Sequence, residues 1–230
     1  MAKKIILIAL LVAVVIFVAG IIYFENEPEN TDINYAPADS QKTTDTTIRF
    51  NSNGKLKILH IADPHLDNDK YFDSSIWVIA NACDVEKPDL VVLTGDNILS
   101  KYQQIDAIQF AQMMEEIGIY WTAVFGNHET REDRGFYKWL LFKSFCDYEH
   151  CLCKFGPDDM FGYGNFTVNI LGEGGKHLKT LFLFDSGRDI LDRDKEKYGL
   201  PADFNGYDFL KKEQIDFYKN ETARLKKEYG

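Results

Sequence analysis

The chain has 230 residues, 45% of them hydrophobic and 27% charged, an ordinary balance for a globular protein. Its 36 Asp and Glu against 26 Lys and Arg exclude a general nucleic-acid binder, because phosphate backbones demand compensating basic charge. A small phosphorylated substrate is not excluded, since a metal site carries its own local positive charge.

Lys3 and Lys4 precede an uncharged apolar run from Ile5 to Phe24. At about 1.5 Å per residue that run covers a hydrocarbon core of about 30 Å. A cleaved signal has an apolar region of about 7–15 residues, so the expectation is an uncleaved transmembrane signal anchor over 5–24, with a cleaved signal as the alternative. The basic flank and the opposite acidic flank (Glu25, Glu27, Glu29) place residues 1–4 in the cytoplasm and send the rest across, to an extracellular or lumenal side. Residues 25–48 are rich in Asn, Asp, Thr and Pro and lack periodicity, which reads as a flexible stalk. Residues 49–230 remain for one domain with a sizeable core.

Within that domain strands and helices alternate. Lys55 to Ala62 reads as a strand, and Asp73 as the cap of a helix running to Val85. Leu90 to Leu93 is a short apolar strand. Ala107, Phe110, Ala111, Met114 and Ile117 mark one face of the next helix. Ile119 to Phe125 reads as a third strand, and Arg134 to Phe145 as a helix. A Gly-rich loop, strands over Asn165 to Leu171 and Leu178 to Phe184, and a charged helix from Tyr207 onward complete the pattern. Such alternation predicts an α/β fold with parallel pairing.

Each of the first three strands ends in polar residues suited to metal. The first exits through Asp63-Pro64-His65, where an extended backbone points Asp63 and His65 to one side, a hard oxygen beside an imidazole. The second exits through Gly95-Asp96-Asn97 and the third through Gly126-Asn127-His128-Glu129, with glycines that permit sharp turns. Any one of these alone is commonplace. Together, at successive strand exits, they mark the end of an α/β sheet where sites are built. His60 faces away from Asp63 and reads as a packed or surface residue. Cys83 shares a helical face with Ile76, Ile79 and Ala80 and reads as a core thiol. Cys146, Cys151 and Cys153 cluster in a loop that could hold one disulfide in an oxidising compartment, with free thiols as the equal alternative. Asn165 and Asn220 head Asn-x-Thr sequons, which matter only in a glycosylating host.

The three strand-exit motifs resemble those of the calcineurin-like metallophosphoesterases. The finer resemblance, carried by Arg49-Phe50 through His65 and by Gly162 to Phe166, is to purple-acid-phosphatase-related protein phosphatases of plants and fungi. Coloured members have a Tyr three residues after the second-motif Asp; Leu99 stands there, so no tyrosinate–iron colour is expected. The resemblance implies a four-layer α/β/β/α sandwich, incomplete at its C-terminus, because a later strand-end His and a Gly-His-x-His do not follow. His150 and His177 stand in neither context. It implies two divalent or trivalent ions, Mn, Fe or Zn, with Asp63 and His65 on the first, Asp96 bridging through its two oxygens, and Asn127 on the second. His128 would serve the leaving group instead of binding metal. The implied activity is phosphomonoester hydrolysis by a two-metal-activated hydroxide, on a small molecule or a protein. A phosphodiesterase and a catalytically inactive membrane-bound pseudoenzyme are the alternatives.

Overall fold

The structure is a computed structural model that describes residues 47–49, 54–67, 72–100, 102–129 and 135–230. In chain order the elements are β1 (Thr47–Arg49), β2 (Ile58–Ile61), α1 (Phe72–Glu86), β3 (Leu90–Thr94), α2 (Gln103–Ile117), β4 (Trp121–Val124), α3 (Gly135–Cys146), β5 (Phe166–Leu171), β6 (His177–Leu183), α4 (Asp192–Tyr198) and α5 (Lys212–Tyr229). The expected membrane anchor at 5–24 lies outside the described residues, as does the stalk up to residue 46. Among the described residues no helix is long and apolar enough to cross a membrane.

Two three-stranded sheets form, in the orders β2-β3-β4 and β1-β5-β6. The first is wholly parallel, as helix crossovers between its strands require. Its middle strand, Leu-Val-Val-Leu-Thr, is buried almost throughout, which is why it reads as a continuous apolar run. In the second sheet β1 pairs parallel to β5, but β5 and β6 are antiparallel. The expectation of parallel pairing fails there because only Gly172 to Lys176 separates the strands, too short for a crossover. The stalk was expected to reach residue 48, yet Thr47 and Ile48 belong to a strand, held in register with Asn169 and Ile170.

The core gathers apolar faces from both sheets. Phe110 of α2 meets Trp121 of β4 edge-on at 5.5 Å, and Phe145 of α3 meets the same indole at 5.1 Å. Burying such a large apolar side chain contributes about 1.5–3 kcal/mol. Helix α2 packs between α1 and α3. Helix α5 lies on the other sheet, with Tyr218 against Phe182 and Phe217 against Phe184. Helix α5 begins at Lys212, not at Tyr207, which bridges to Asp189 instead. Asp73 falls in the first turn of α1, not before it.

A buried polar cluster fastens α5 to the second sheet. Gln214 donates through Nε2 to Asn165 Oδ1 and to the Asp185 carbonyl, both at 2.7 Å, and its Oε1 accepts from the Lys211 N–H. Asn165 Nδ2 donates to the Phe161 carbonyl, and its Oδ1 also accepts from the Asp185 N–H. The Asn165 side chain is thus buried and hydrogen-bonded through both its oxygen and its nitrogen in the folded protein. Asn220 is exposed on α5.

Candidate metal centre

The strand exits converge because their loops continue the sheet's hydrogen bonding past the regular strands. Asp63 N–H donates to the Gly95 carbonyl at 3.2 Å, His65 N–H to the Asp96 carbonyl at 3.1 Å, and Leu66 N–H to the Asn97 carbonyl at 2.8 Å. Following β2 and β3, the first and second loops are therefore laced together. The third is stitched to the second through Asp96, whose Oδ1 accepts the His128 N–H at 2.9 Å, and through Asn97, whose Nδ2 donates to the Val124 carbonyl.

Close approach is permitted by one missing side chain. A Cβ on Gly126 would stand 2.2 Å from Asp96 Oδ1 and 2.5 Å from the Asp96 nitrogen, so no larger residue fits while Asp96 keeps its place. Asp63, His65 and Asp96 all take left-handed backbone, with φ of 53°, 47° and 50°. Non-glycine residues held there cost of order 1–3 kcal/mol each and collect at functional sites.

Three side chains meet in the resulting hollow. His65 Nε2 lies 3.8 Å from Asp96 Oδ2, His128 Nε2 lies 4.0 Å from the same oxygen, and the two imidazoles stand edge to face with centroids 5.1 Å apart. One ligand atom from each of His65, Asp96 and His128 falls within 4.8 Å of the others, which could hold a metal ion. Asp63 stands at the rim, its Oδ1 3.8 Å from His65 Nε2 and its side chain largely exposed. Asn127 is half-buried in the same loop.

The donor set fits a cation. His65 Nε2 is buried and makes no hydrogen bond, which costs free energy unless an electrophile takes its lone pair. It faces a carboxylate oxygen at a distance too long for a hydrogen bond and suited to an ion between them. An imidazole–carboxylate set of this kind suits Mn, Fe or Zn. Oδ1 of Asp96 accepts a backbone N–H, and Oδ2 is the oxygen presented to both rings.

Glu129 and Gln103 are parts of the site that the sequence reading gave no role. The buried Glu129 carboxylate accepts from the backbone N–H groups of Asn97, of Ile98 at 3.0 Å and of Gly126 at 2.7 Å, so it clasps the second and third loops. Burial pushes its pKa above the usual carboxylate range, and the Asp96 charge adds to this against the opposing pull of the three N–H groups. Gln103, the first residue of α2, donates to the carbonyls of His128 and Ile98. The acidic end of Gly-Asn-His-Glu was the available signal for the first; nothing in the sequence marks the second.

The remaining candidates stand elsewhere. His60 is exposed and shares a hydrogen bond with Thr94 Oγ1 at 2.8 Å. His150 pairs with Glu115, its Nδ1 3.1 Å from Oε1, and His177 stacks on Tyr229 at 4.3 Å. Cys146, Cys151 and Cys153 are neighbours but free thiols, as is Cys83, and burial raises the pKa of Cys83, Cys146 and Cys151.

Comparisons with known proteins identify a family. The family model described as calcineurin-like phosphoesterase matches residues 56–227. The chain is 27% identical over 224 residues to the "Probable inactive purple acid phosphatase 29" of Arabidopsis thaliana, covering 84% of this chain and 53% of that protein. It is 28% identical over 201 residues to "Probable inactive purple acid phosphatase 28" of the same plant, covering 73% and 50%. It is 25% identical over 232 residues to "Phosphatase DCR2" of Saccharomyces cerevisiae, covering 89% of this chain and 38% of that protein. The chain thus spans about half the length of the plant relatives, and less of the yeast one.

Proposed function

Since the chain belongs to the calcineurin-like phosphoesterase family, we propose that it is the metal-binding part of a phosphomonoester hydrolase acting on a small phosphorylated molecule or a phosphoprotein. The observation that carries this reading is the buried, unpartnered Nε2 of His65 aimed at Asp96 Oδ2 beside His128. Two sheets with helices packed on each suit the four-layer sandwich of such enzymes.

In this reading His65 and Asp96 hold metal, Asp63 closes the rim on the first ion, and Asn127 serves a second. Bound ions of this class supply Lewis acidity to phosphoryl oxygens and lower the pKa of water toward 7. His128 presents its Nε2 4.0 Å from Asp96 Oδ2, where in this reading it would give a proton to a departing oxygen. The net charge of −10 does not exclude an anionic phosphorylated substrate, because bound metal would supply the local positive charge that receives its phosphate. Residues 5–24 would tether the domain to a membrane and present it on the far side, a reading that rests on the sequence of those residues.

The test is metal-dependent hydrolysis of an aryl phosphate by the full chain, abolished by chelation. Asp96→Ala should lose both metal and turnover. His128→Ala should retain metal and lose roughly 10²–10⁴-fold in turnover. Equal metal loss in the two variants would make His128 a ligand and sink its assigned role. The names of the plant relatives favour a second reading, a domain that binds metal without turning over substrate. Stoichiometric metal with no hydrolysis under any metal supply would select it.

A further inference from the structure

On the far side of the third loop lies an ion pair that the chemistry above does not use. Lys138 of α3 places Nζ 2.8 Å from Asp185 Oδ1 and 2.7 Å from Oδ2. Asp185 is completely buried and the lysine side chain nearly so. The same carboxylate accepts the Tyr163 N–H at 2.9 Å and the Gly187 N–H at 3.0 Å. A Cβ on Gly162 would stand 2.6 Å from Asp185 Oδ2, so that loop is also shaped around the carboxylate. Asp185 stands just past the end of β6, in the second sheet.

The lysine also approaches the residue that follows the first sheet's last strand. Its ammonium lies 5.9 Å from the centre of the Phe125 ring. That ring is buried against Phe142 at 5.3 Å and Phe145 at 5.9 Å, both on α3. Phe125 directly precedes Gly126, the residue that must lie against Asp96. One ammonium therefore connects the exit of β6 to the exit of β4.

We propose that Lys138 and Asp185 are positioning residues for the third loop, fixing Phe125 and through it the placement of Gly126 to Glu129 against Asp96. A buried ion pair contributes little net stability over apolar residues of similar size, so its worth lies in the one arrangement it selects. Here that arrangement ties Asp185, just past β6, to Lys138 of α3 beside Phe125, and the three donors on the carboxylate fix it where apolar packing would tolerate sliding more readily. The proposal rests on the reading of this loop as ligand-bearing.

Two measurements on the full chain test it: amide hydrogen exchange without metal, and Mn²⁺ affinity from the paramagnetic resonance signal of free Mn²⁺. Lys138→Met keeps the stem and removes the charge; Lys138→Arg keeps the charge. Met114→Ala, a buried truncation in α2, controls for general destabilisation. In Lys138→Met the Gly126 and His128 amides should exchange faster while those of Val91 and Ala123 stay protected, and Mn²⁺ affinity should fall by about 10–100-fold. Lys138→Arg should restore both, and Met114→Ala should lower the unfolding midpoint without either change. Should Lys138→Met fail to fold, Asp185→Asn removes the other charge and gives the same readouts. Unchanged exchange at Gly126 and His128, or equal acceleration in Met114→Ala, overturns the proposal. A wild-type chain that ignores Mn²⁺ while Lys138→Met still loosens those two amides selectively overturns the metal reading and leaves the positioning role standing.

Discussion

Glu129 has two oxygens and three backbone donors, and those donors belong to two different loops. A carboxylate suits that count because both its oxygens only accept. In Glu129→Gln one oxygen becomes an NH₂ group that must face an N–H, so at least one buried donor loses its acceptor. The expected loss is about 1–3 kcal/mol of stability, read from the urea midpoint at pH 7. An unchanged midpoint would mean that the laced backbones of the first and second loops hold the third without help. This residue was only half legible in the sequence. Asp63, His65, Asp96 and His128 show themselves as metal-ligand types at strand exits, whereas Glu129 acts by accepting from a loop some thirty residues away, visible only once the two loops meet.

Between β6 and α5 the chain makes a long excursion that contains α4. Its base is closed by Asp208 N–H on the Arg188 carbonyl, Ile190 N–H on the Gly206 carbonyl, and the buried pair Lys211–Asp208. The Lys211 ammonium sits among three rings, 4.2 Å from the centre of Phe209 and 4.9 Å from those of Phe161 and Tyr198. Removing one partner of such a pair leaves a buried charge alone, so Lys211→Met should cost about 3–5 kcal/mol. Trypsin should then cut faster at the exposed Arg193 and Lys197 than at Lys226 in α5; uniform cleavage would show that the pair does not govern the excursion. None of this region could be read beforehand. Helix α4, Asp-Arg-Asp-Lys-Glu-Lys-Tyr, has no apolar stripe to betray it. Tyr207 and Phe209 mimic the start of an amphipathic helix but serve a bridge and a cation instead. By contrast β3 and α2 were legible because burial on both faces, or on one, writes an unbroken or a periodic apolar pattern. The antiparallel turn between β5 and β6 was there to be read in its length.

At the scale of the molecule, the two sheets differ in how their edges end. The outer side of β4 is covered by the segment after α3, with Trp121 N–H on the His150 carbonyl and Leu152 N–H on the Trp121 carbonyl. Among the described residues no strand pairs with the outer edges of β2 or β6. Ile58 of β2 is 39% exposed, so that edge, unpaired with any strand among the described residues, sets an apolar side chain beside its backbone, a template for association. Charge opposes this at pH 7, where the chain carries −10, and fades toward its pI of about 5.0. In neutral detergent the full chain should therefore scatter more light at pH 5 than at pH 7.5. Ile58→Lys should raise the protein concentration at which scattering begins. No shift of that onset would place the association elsewhere.

The closure of Asn165 by Gln214 also makes folding visible from outside. In a secretory route that glycosylates, sugar can reach Asn165 only before α5 settles, whereas Asn220 stays open throughout. Occupancy at Asn165 relative to Asn220 would then act as a clock comparing the rate of oligosaccharide transfer with the rate of folding. A chain that received sugar at Asn165 would carry it where Gln214 must sit, and could not complete its fold.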